Sequence, residues 1–222
     1  LTLPMGEAEH FGGVIDLLEM TALTFADGDF GSSIDRGPIP AAWAVAAEQA
    51  RAALVELIAG DDETLLDAYL ENPDLSADVL RPAIRRATLA GRVVPVLCGS
   101  ALRNKGIQCL LDGVVDYLPS PADRGAIAGA DLKTGEAVER ACTDSEPLAA
   151  LVFKIATDPY VGRLFFVRTY SGVLRKGQNV FNPRTRKRER VMRLVRLRAD
   201  SQHDVERLHA GEIGALVGLK NA

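Results

Sequence analysis

The stretch RVVPVLCGSALRNKGIQCLLDGVVDYLPSP, residues Arg92–Pro121, decides the fold class of the first half of the chain. Val93–Leu97 is short, apolar and mostly β-branched, which predicts a strand covered on both faces. After a polar turn, apolar residues recur at helical spacing at Ile107, Leu110, Leu111, Val114, Val115 and Leu118. Pro119 and Pro121 end this helix. Strand, loop and helix in this order predict an α/β unit, in which ligands bind at the carboxyl end of the strand.

Strands and three more helices are predicted before this unit. Phe11–Phe25 has the pattern of one or two strands. The helices are predicted over residues 38–60, Asp62–Leu70 and Ser76–Ala90. Residues Trp43, Ala47, Ala50, Leu54, Leu57 and Ile58 form the predicted apolar stripe of the first helix. Pro82 lies too far into the third helix for its first turn, so we expect a kink or a later start there.

From Leu148 onward the helical stripes end, and short strands alternate with Gly and Pro turns, which is typical of a small barrel. The predicted strands cover residues 151–155, 164–170, 180–181, a long segment 188–199, and 211–219. Because Leu194 and Val195 are adjacent, we expect a bulge in the long strand. Residues 119–147 are rich in Pro, Gly, Ala and charged residues with little periodicity, which predicts a linker with a hairpin near Gly135. The domain prediction is therefore 1–120, a linker 121–147, and 148–222.

Charge divides the chain in the same way. Residues 1–120 hold 8 Lys and Arg against 18 Asp and Glu, whereas residues 121–222 hold 18 against 12. An acidic half joined to a basic half suggests two different partners. The run RTRKRERVMRLVRLR, Arg184–Arg198, is either a phosphate-binding stripe or a solvated strand whose arginine stems cover the barrel. The sequence leaves both interpretations open, and its apolar runs are too short to predict a membrane span.

Self-contained catalytic motifs are missing from the sequence. It contains no GxxxxGK[ST] loop, no GxGxxG and no HExxH. The three cysteines and three histidines have no metal-ligand spacing, so no metal site is predicted and a reduced cytosolic protein is indicated. Cys98 is a conceivable nucleophile, but no histidine or acid is placed by the sequence to activate it. No catalytic residue is predicted.

The stretches Pro4–Met20, Val94–Pro121 and Ala156–Val180 together resemble translational GTPases, most closely bacterial elongation factor G. ATDPYVGRLFFVRTYSGVLRKGQNV, Ala156–Val180, resembles the start of the second domain of that family. VPVLCGSALRNKGIQCLLDGVVDYLPSP resembles the end of its GTPase domain, and PMGEAEHFGGVIDLLEM resembles the entry of an insertion inside that domain. The order of the three also matches. The resemblance implies an α+β insertion and the last βα unit of a P-loop GTPase domain, followed by an all-β barrel.

The function implied by the resemblance is GTP-dependent translocation on the ribosome by a cytoplasmic translational GTPase. In this family the loop matching Ser100, Ala101 and Leu102 contacts the guanine base. A backbone N–H donated to the guanine oxygen discriminates against adenine, which carries an amino group there. The small residues Gly99 and Ala101 are expected to permit close approach of the base.

Two partners are implied on the ribosome, and neither DNA nor a membrane is. The insertion of the family meets the stalk protein of the large subunit, for which we expect Glu48 and Glu56 on the first helix to be contact residues. The second domain faces small-subunit ribosomal RNA, for which the candidates are Arg186, Lys187, Arg188 and Arg190.

The P-loop, the switch segments and the Asn-Lys-x-Asp base motif of the family would all lie before Leu1. We therefore expect a fragment that is inactive alone and binds neither GTP nor Mg²⁺, both of which belong to the full-length parent. We also expect a truncated, open barrel in which one or more strands lack a partner, with the end of the chain, Glu212–Leu219, either frayed or paired edge-to-edge with a neighbouring molecule. The alternatives are a non-catalytic adaptor for ribosomal RNA or protein, and a paralogue such as a release or ribosomal-protection factor.

Overall fold

The computed structural model describes residues 1–60, 62–132, 134–158, 162–199 and 201–219. The chain divides into two compact units, Leu1–Leu118 and Pro119–Ala222. Helices and a small sheet make up the first unit, and strands dominate the second, so the predicted order of a mixed part followed by a β-rich part is confirmed. Within the described ranges, no helix is long and apolar enough to cross a membrane.

A four-stranded antiparallel sheet opens the first unit. Its strands follow chain order as β1 (Thr2–Met5), β2 (Gly13–Asp16), β3 (Thr21–Phe25) and β4 (Ile34–Gly37). The sequence predicted β2 and β3 but missed β1 and β4, which are short and interrupted by proline, glycine or charge. Both faces are covered, since Ile15 packs with Ala47 of the following helix and Val14 packs with Phe11 and the half-buried Cys98.

Three helices follow the sheet, as predicted: α1 (Ala41–Ala59), α2 (Glu63–Glu71) and α3 (Ala77–Leu89). Pro82 lies inside α3, so of the two expected alternatives, a kink or a later helix start, the later start is wrong. Leu57, predicted on the buried stripe of α1, is 63% exposed, because α1 buries only the side that carries Ala47, Val55 and Ile58.

Arg51 of α1 joins these elements through backbone carbonyl groups. Its Nη1 donates to the carbonyl oxygens of Leu17 and Leu18 at 2.6 and 2.8 Å, and its Nη2 donates to that of Leu75. A partly buried guanidinium supplies several fixed donors, so it satisfies carbonyls that would otherwise lack partners. The bonds tie α1 to the turn after β2 and to the segment before α3.

The predicted strand Val93–Leu97 is wrong, because this segment is not a strand of any sheet in the described part of the chain. Val94 and Val96 are 82% and 64% exposed, while Val93, Pro95 and Leu97 between them are half-buried. Only one side of the segment is thus covered. A strand is buried on both faces only when sheet neighbours and two flanking layers surround it.

The predicted helix is present as α4 (Ile107–Tyr117), yet its apolar stripe faces outward. Its buried residues are Gly113 and Tyr117. Gly113 is packed so closely on Leu97 that an added Cβ would lie 3.2 Å from a Leu97 methyl carbon. We call the exposed residues of the segment and the helix the open apolar surface; they are Val94, Val96, Leu110, Leu111, Val114, Val115 and Leu118.

The second unit begins with the hairpin predicted near Gly135, formed by β5 (Ile127–Ala130) and β6 (Ala137–Arg140). The strands that follow are β7 (Ala149–Asp158), β8 (Gly162–Ser171), β9 (Leu174–Arg175), β10 (Asn179–Asn182), β11 (Lys187–Arg190), β12 (Arg193–Arg198), β13 (Ser201–Val205), β14 (Arg207–Leu208) and β15 (Ile213–Val217). Five of them form one antiparallel sheet in the order β13-β12-β15-β8-β7. Strand β10 pairs with β11, and β9 with β14. Residues 159–161 of the stretch Ala156–Val180 lie outside the described residues.

The single strand predicted over Arg188–Ala199 is wrong, because two strands of different sheets occupy it. The chain leaves the β10–β11 hairpin at the fully buried Val191 and enters the large sheet as β12. The adjacent apolar pair Leu194 and Val195 is explained by burial rather than by a bulge. Both side chains are fully buried, each in a different core cluster, so the sheet is covered on both faces at this point.

The expectation that Glu212–Leu219 is the exposed edge of the barrel is also wrong. Strand β15 is central in the sheet, where Ala215 lies opposite Phe166 of β8 and Val195 of β12. The edges of the sheet are β13 and β7 instead. Within β7 a register shift between Val152 and Lys154 marks a bulge, and the intervening Phe153 is 51% exposed. Bulges commonly interrupt edge strands in this way.

Candidate functional site

The loop from Gly99 to Gly106 is closed by a pair of backbone hydrogen bonds. The N–H of Ser100 donates to the carbonyl oxygen of Lys105 at 2.8 Å, and the N–H of Lys105 donates back to that of Ser100 at 3.0 Å. Between them lie a single 3₁₀ turn, Ala101–Arg103, and Asn104 in the left-handed conformation. Small and left-handed-tolerant residues are what such a tight loop requires.

Glycine has a role here other than the one we expected. A Cβ on Gly99 would lie 2.8 Å from the Lys105 carbonyl oxygen, and one on Gly106 would lie 2.8 Å from that of Cys98. Gly106 also has a φ of +80°, which side chains disfavour. Closure of the loop itself therefore demands both glycines, before any ligand is considered.

Two backbone donors at the tip of the loop are free in the described part of the chain. The N–H of Ser100 is bonded to Lys105, whereas the N–H groups of Ala101 and Leu102 have no acceptor among the described hydrogen bonds. Both residues are exposed, and Leu102 is 87% exposed. Two neighbouring free donors can bind one carbonyl oxygen of a ligand.

The loop rests on the turn between β3 and β4. The Nζ of Lys105 lies 2.7 Å from the carboxylate of Asp27, and the side-chain amides of Asn104 and Gln108 donate to the carbonyl oxygens of Phe30 and Gly31 at 3.2 and 2.7 Å. The hydrogen bond from Lys105, and then its charge, hold the pKa of the Asp27 carboxyl below its usual value. Sequence reasoning missed this support, although Lys105 is the only lysine among residues 1–120.

Glu48 and Glu56 lie on the solvent side of α1, as expected from the helical pattern. Neither carboxylate has an ion pair within the described residues. The helix also exposes apolar groups, since Val45 and Leu57 are 65% and 63% exposed, and Val45 lies one turn before Glu48. An acidic helix surface with exposed aliphatic side chains can bind a basic partner that also offers apolar contacts.

The first half of the basic run forms the β10–β11 hairpin. Asn182 shapes its turn by accepting from the N–H groups of Arg184 and Thr185 at 3.1 and 3.3 Å. Arg184, Arg186 and Arg188 are exposed and have no ion pair in the described part of the chain. Arg188 lies opposite Phe181, a ring that is 45% exposed. Exposed arginines beside an exposed ring are suited to nucleic-acid phosphates and bases.

Other members of the basic run have partners within the chain. Arg193 pairs with Asp204 at 2.7 Å, and Arg196 pairs with Glu212. Arg190, one of the expected RNA contacts, donates its Nε to the carbonyl oxygen of Gly177 at 3.2 Å. Lys187, another expected contact, is exposed on the same hairpin. Among the described residues of the run, Arg184, Arg186 and Arg188 on the hairpin therefore have no ion pair, whereas Arg193 and Arg196 of β12 are paired.

Cys98 has the surroundings of a structural residue. Its Sγ donates to the carbonyl oxygen of Thr2 at 3.5 Å, and its side chain packs on the cluster of Phe11, Val14 and Leu23. The described residues contain no group of three or more His, Cys, Asp and Glu side chains that could hold a metal ion. The structure thus offers no support for an independent enzyme built on Cys98.

Comparisons with known proteins bear on both units. Residues 147–222 match the family model of elongation factor G domain 2. A crystal structure of a protein from Thermus thermophilus is similar over 100% of this chain and 30% of its own, with 25% identity and a TM-score of 0.75. The chain therefore spans less than a third of the length of that protein. The domain 2 match supports the interpretation of the chain as part of a translation elongation factor.

Proposed function

We propose that this chain is part of a ribosome-binding translational GTPase of the elongation factor G type, which promotes GTP-dependent translocation. The supporting observation is that a loop with two free backbone donors occurs in the same chain as a segment matching elongation factor G domain 2. Residues 1–120 would then carry the insertion and the end of the GTPase domain, and residues 148–222 the second domain. A cytoplasmic location follows from this role.

The contribution of the loop to the proposed function is recognition of the base. The free N–H groups of Ala101 and Leu102 would donate to the 6-oxygen of guanine. Adenine presents an amino group at that position, so two donors would face each other and a hydrogen bond would be lost. Leaving such polar groups unpaired costs about 1–3 kcal/mol each.

Phosphate chemistry is not assigned to these residues. The sequence has no phosphate loop, and no cluster of metal-ligating side chains occurs among the described residues, so they do not fit Mg²⁺. Hydrolysis requires a phosphate cradle, the metal and a positioned water. GTP and Mg²⁺ would bind the full-length parent, and residues 1–222 alone are expected to be inactive.

The open apolar surface is consistent with a chain that contains only part of the GTPase domain. Val94, Val96 and the outward side of α4 expose aliphatic groups that their sequence pattern marks for burial. In the proposed protein, the remaining strands of the GTPase domain would cover them. The segment Val93–Leu97 would then become the buried parallel strand that the sequence predicts.

Ala101→Pro tests the base contact in the full-length protein. Proline lacks an N–H, position 101 begins a helical turn, and Ser100 before it is extended (φ −123°, ψ 99°), so the backbone accepts the change. GDP affinity should fall about tenfold. Ala101→Gly keeps the donor and serves as the control. Unchanged GDP binding by Ala101→Pro, or a wild-type protein that binds no guanine nucleotide, would reject the base-loop assignment and favour the non-catalytic adaptor.

The acidic helix surface is proposed to contact the stalk protein of the large ribosomal subunit. Complementary charge accelerates encounter and is screened by salt. Replacing both Glu48 and Glu56 by lysine should slow association at low salt by about tenfold. Glu7→Lys with Glu9→Lys makes the same change in net charge elsewhere in the unit. Equal on-rates for the two double variants would show that α1 is not the contact.

The basic hairpin is proposed to contact small-subunit ribosomal RNA through Arg186, Lys187, Arg188 and Arg190, joined by Arg184. Each phosphate contact adds about 0.9 to the slope of log affinity against log salt. Replacing Arg184, Arg186 and Arg188 by alanine should therefore lower the slope by about 2 to 3 units. Arg193→Ala removes an arginine that is already paired with Asp204 and should leave the slope unchanged.

A paralogue with another role in translation, such as a release or ribosomal-protection factor, is the second candidate. It shares the predicted nucleotide and ribosome contacts. A translocation assay on ribosomes with the full-length protein distinguishes the two, because a release or protection factor does not advance the messenger RNA.

A further inference from the structure

A buried lysine supports the loop that carries the free donors. The side chain of Lys105 is 5% exposed, whereas that of its partner Asp27 is 83% exposed. Lysine is rarely buried unless its ammonium group is paired. The 2.7 Å contact with Asp27 supplies that pair. The ammonium group of Lys105 is therefore held within the protein by its contact with Asp27.

Lys105 also closes the loop through its backbone. Both backbone hydrogen bonds between Ser100 and Lys105 depend on where the Lys105 peptide units lie. The ammonium group fixes one end of this residue to the β3–β4 turn, and the peptide groups fix the position of Ser100. Ala101 and Leu102 follow Ser100 directly, so the direction of their N–H groups depends on the same residue.

Other contacts join the same two segments. Gly31 of the β3–β4 turn lies so near the loop that a Cβ there would be 2.7 Å from the Asn104 carbonyl oxygen. The amide of Gln108 donates to the Gly31 carbonyl oxygen, and that of Asn104 to the Phe30 carbonyl oxygen. The β3–β4 turn therefore packs closely against the loop. Among the described residues of these two segments, Lys105 and Asp27 form the only ion pair.

We propose that Lys105, held by Asp27, is a positioning residue that sets guanine specificity by orienting the N–H groups of Ala101 and Leu102. This inference rests on the proposed function of the loop. Without the ion pair, the loop keeps its backbone bonds, its glycines and the amide bonds of Asn104 and Gln108, but the side chain of Lys105 itself is no longer tied to the β3–β4 turn. The two donors then spend less time in the direction that a carbonyl oxygen of the base requires.

The test compares GDP with the diphosphate of 2-aminopurine riboside, which keeps the 2-amino group but lacks the 6-oxygen. Lys105→Met retains an unbranched apolar stem of similar length and removes the charge. In the full-length protein, GDP affinity should fall about tenfold, and affinity for the 2-aminopurine nucleotide should stay unchanged. The ratio of the two affinities therefore falls about tenfold. Arg36→Met, an exposed cation on β4, is the control and should leave the ratio unchanged.

A second variant covers the case in which Lys105→Met does not fold. Asp27→Ala changes an exposed residue and removes the same ion pair, while Asp27→Asn keeps an acceptor. Asp27→Ala should lower the affinity ratio, and Asp27→Asn should restore most of it. An equal loss for both nucleotides would indicate a structural role only and overturn the inference, as would an unchanged ratio. If the wild-type protein itself fails to prefer GDP, the proposed base loop is rejected instead.

Discussion

Helices α3 and α4 carry the same kind of sequence pattern and have opposite surroundings. Leu80, Ala83 and Ile84 of α3 are each 1% exposed in the core shared with α1 and α2. Leu111 and Val115 of α4 are 60% and 76% exposed, although their spacing marks an equally clear apolar stripe. Only Gly113 and Tyr117, on the other side of α4, are buried.

An apolar stripe in the sequence shows that a helix has a face suited to burial, but it does not show whether that face is buried within the same unit. Helix α3 finds its contacts inside the unit, through residues before and after it. Helix α4 packs on the unit through the side that carries Gly113, which contacts Leu97, and its apolar stripe is exposed. Exposed contiguous aliphatic surface of this kind marks an interaction site. The contributions of the two helices to the free energy of unfolding should therefore differ as their exposures do.

The largest expected effect is a core truncation in α3. Ile84→Ala removes a side chain that is 1% exposed and should lower the free energy of unfolding by about 2–5 kcal/mol. Val115→Ala on α4 removes a side chain that is 76% exposed and should change it by no more than about 0.5 kcal/mol. Urea unfolding followed by the fluorescence of Trp43, the only tryptophan in the chain, measures both. Equal losses would mean that α4 is covered after all.

A smaller effect is expected where α3 is joined to α2. The Asp62 carboxylate accepts from the N–H of Leu65 at 3.1 Å, capping α2, and binds Arg86 of α3. Asp62→Ala removes the cap and the ion pair together and should cost about 1–2 kcal/mol. Asp67→Ala, an exposed residue of α2 with no cap to lose, is the matched control. A cost no larger than that of the control would show that α3 is held by apolar packing alone.

Acid should weaken the same junction. The hydrogen bond from Arg86 lowers the pKa of Asp62 below its ordinary value of 3.8, against the opposing effect of burial. A carboxyl with a lowered pKa in the folded state stabilises above its unfolded pKa, and that stability is lost as pH falls through the folded value. The difference in unfolding midpoint between wild type and Asp62→Ala should therefore shrink below pH 3.8. A difference that stays constant there would exclude the ion pair as its source.

The smallest expected effect concerns Tyr117, on the buried side of α4. Burial, followed by the charge of Asp116, raises the pKa of Tyr117 to about 12. Neutral pH leaves this hydroxyl protonated in either state, so its stabilising effect is complete below pH 10 and is lost as pH rises from 10 toward 12. An alkaline absorbance titration of the four tyrosines should contain a late component that Tyr117→Phe removes. Its persistence in that variant would assign the late component to another tyrosine.

Several features followed from the sequence because they depend on neighbours along the chain. The helices α1, α2, α3 and α4 were predicted from residues three and four apart, and the β-rich second unit from short apolar runs with Gly and Pro turns. The hairpin near Gly135 was also predicted, since turn chemistry is local. The residues of the loop Ser100–Leu102 were located by resemblance, at the boundary between an apolar run and a helical pattern.

Other features were missed because they depend on residues far apart in sequence. Strands β1, β4, β13 and β14 are short and polar or interrupted, so pairing rather than propensity creates them. The central place of β15 depends on β8 and β12, and the break at Val191 depends on two different sheets. No local pattern contains this information.

The sequence alone determined where helices, turns and charged segments occur, because hydrophobic period, turn residues and charge are properties of adjacent positions. Tertiary structure alone decided which apolar faces are covered, which arginines are neutralised, and that Lys105 reaches Asp27 beneath the loop. Burial and ion pairing are properties of spatial neighbours, and these are chosen by how the chain folds back on itself. The same apolar stripe therefore lies inside the core in α3 and on the surface in α4.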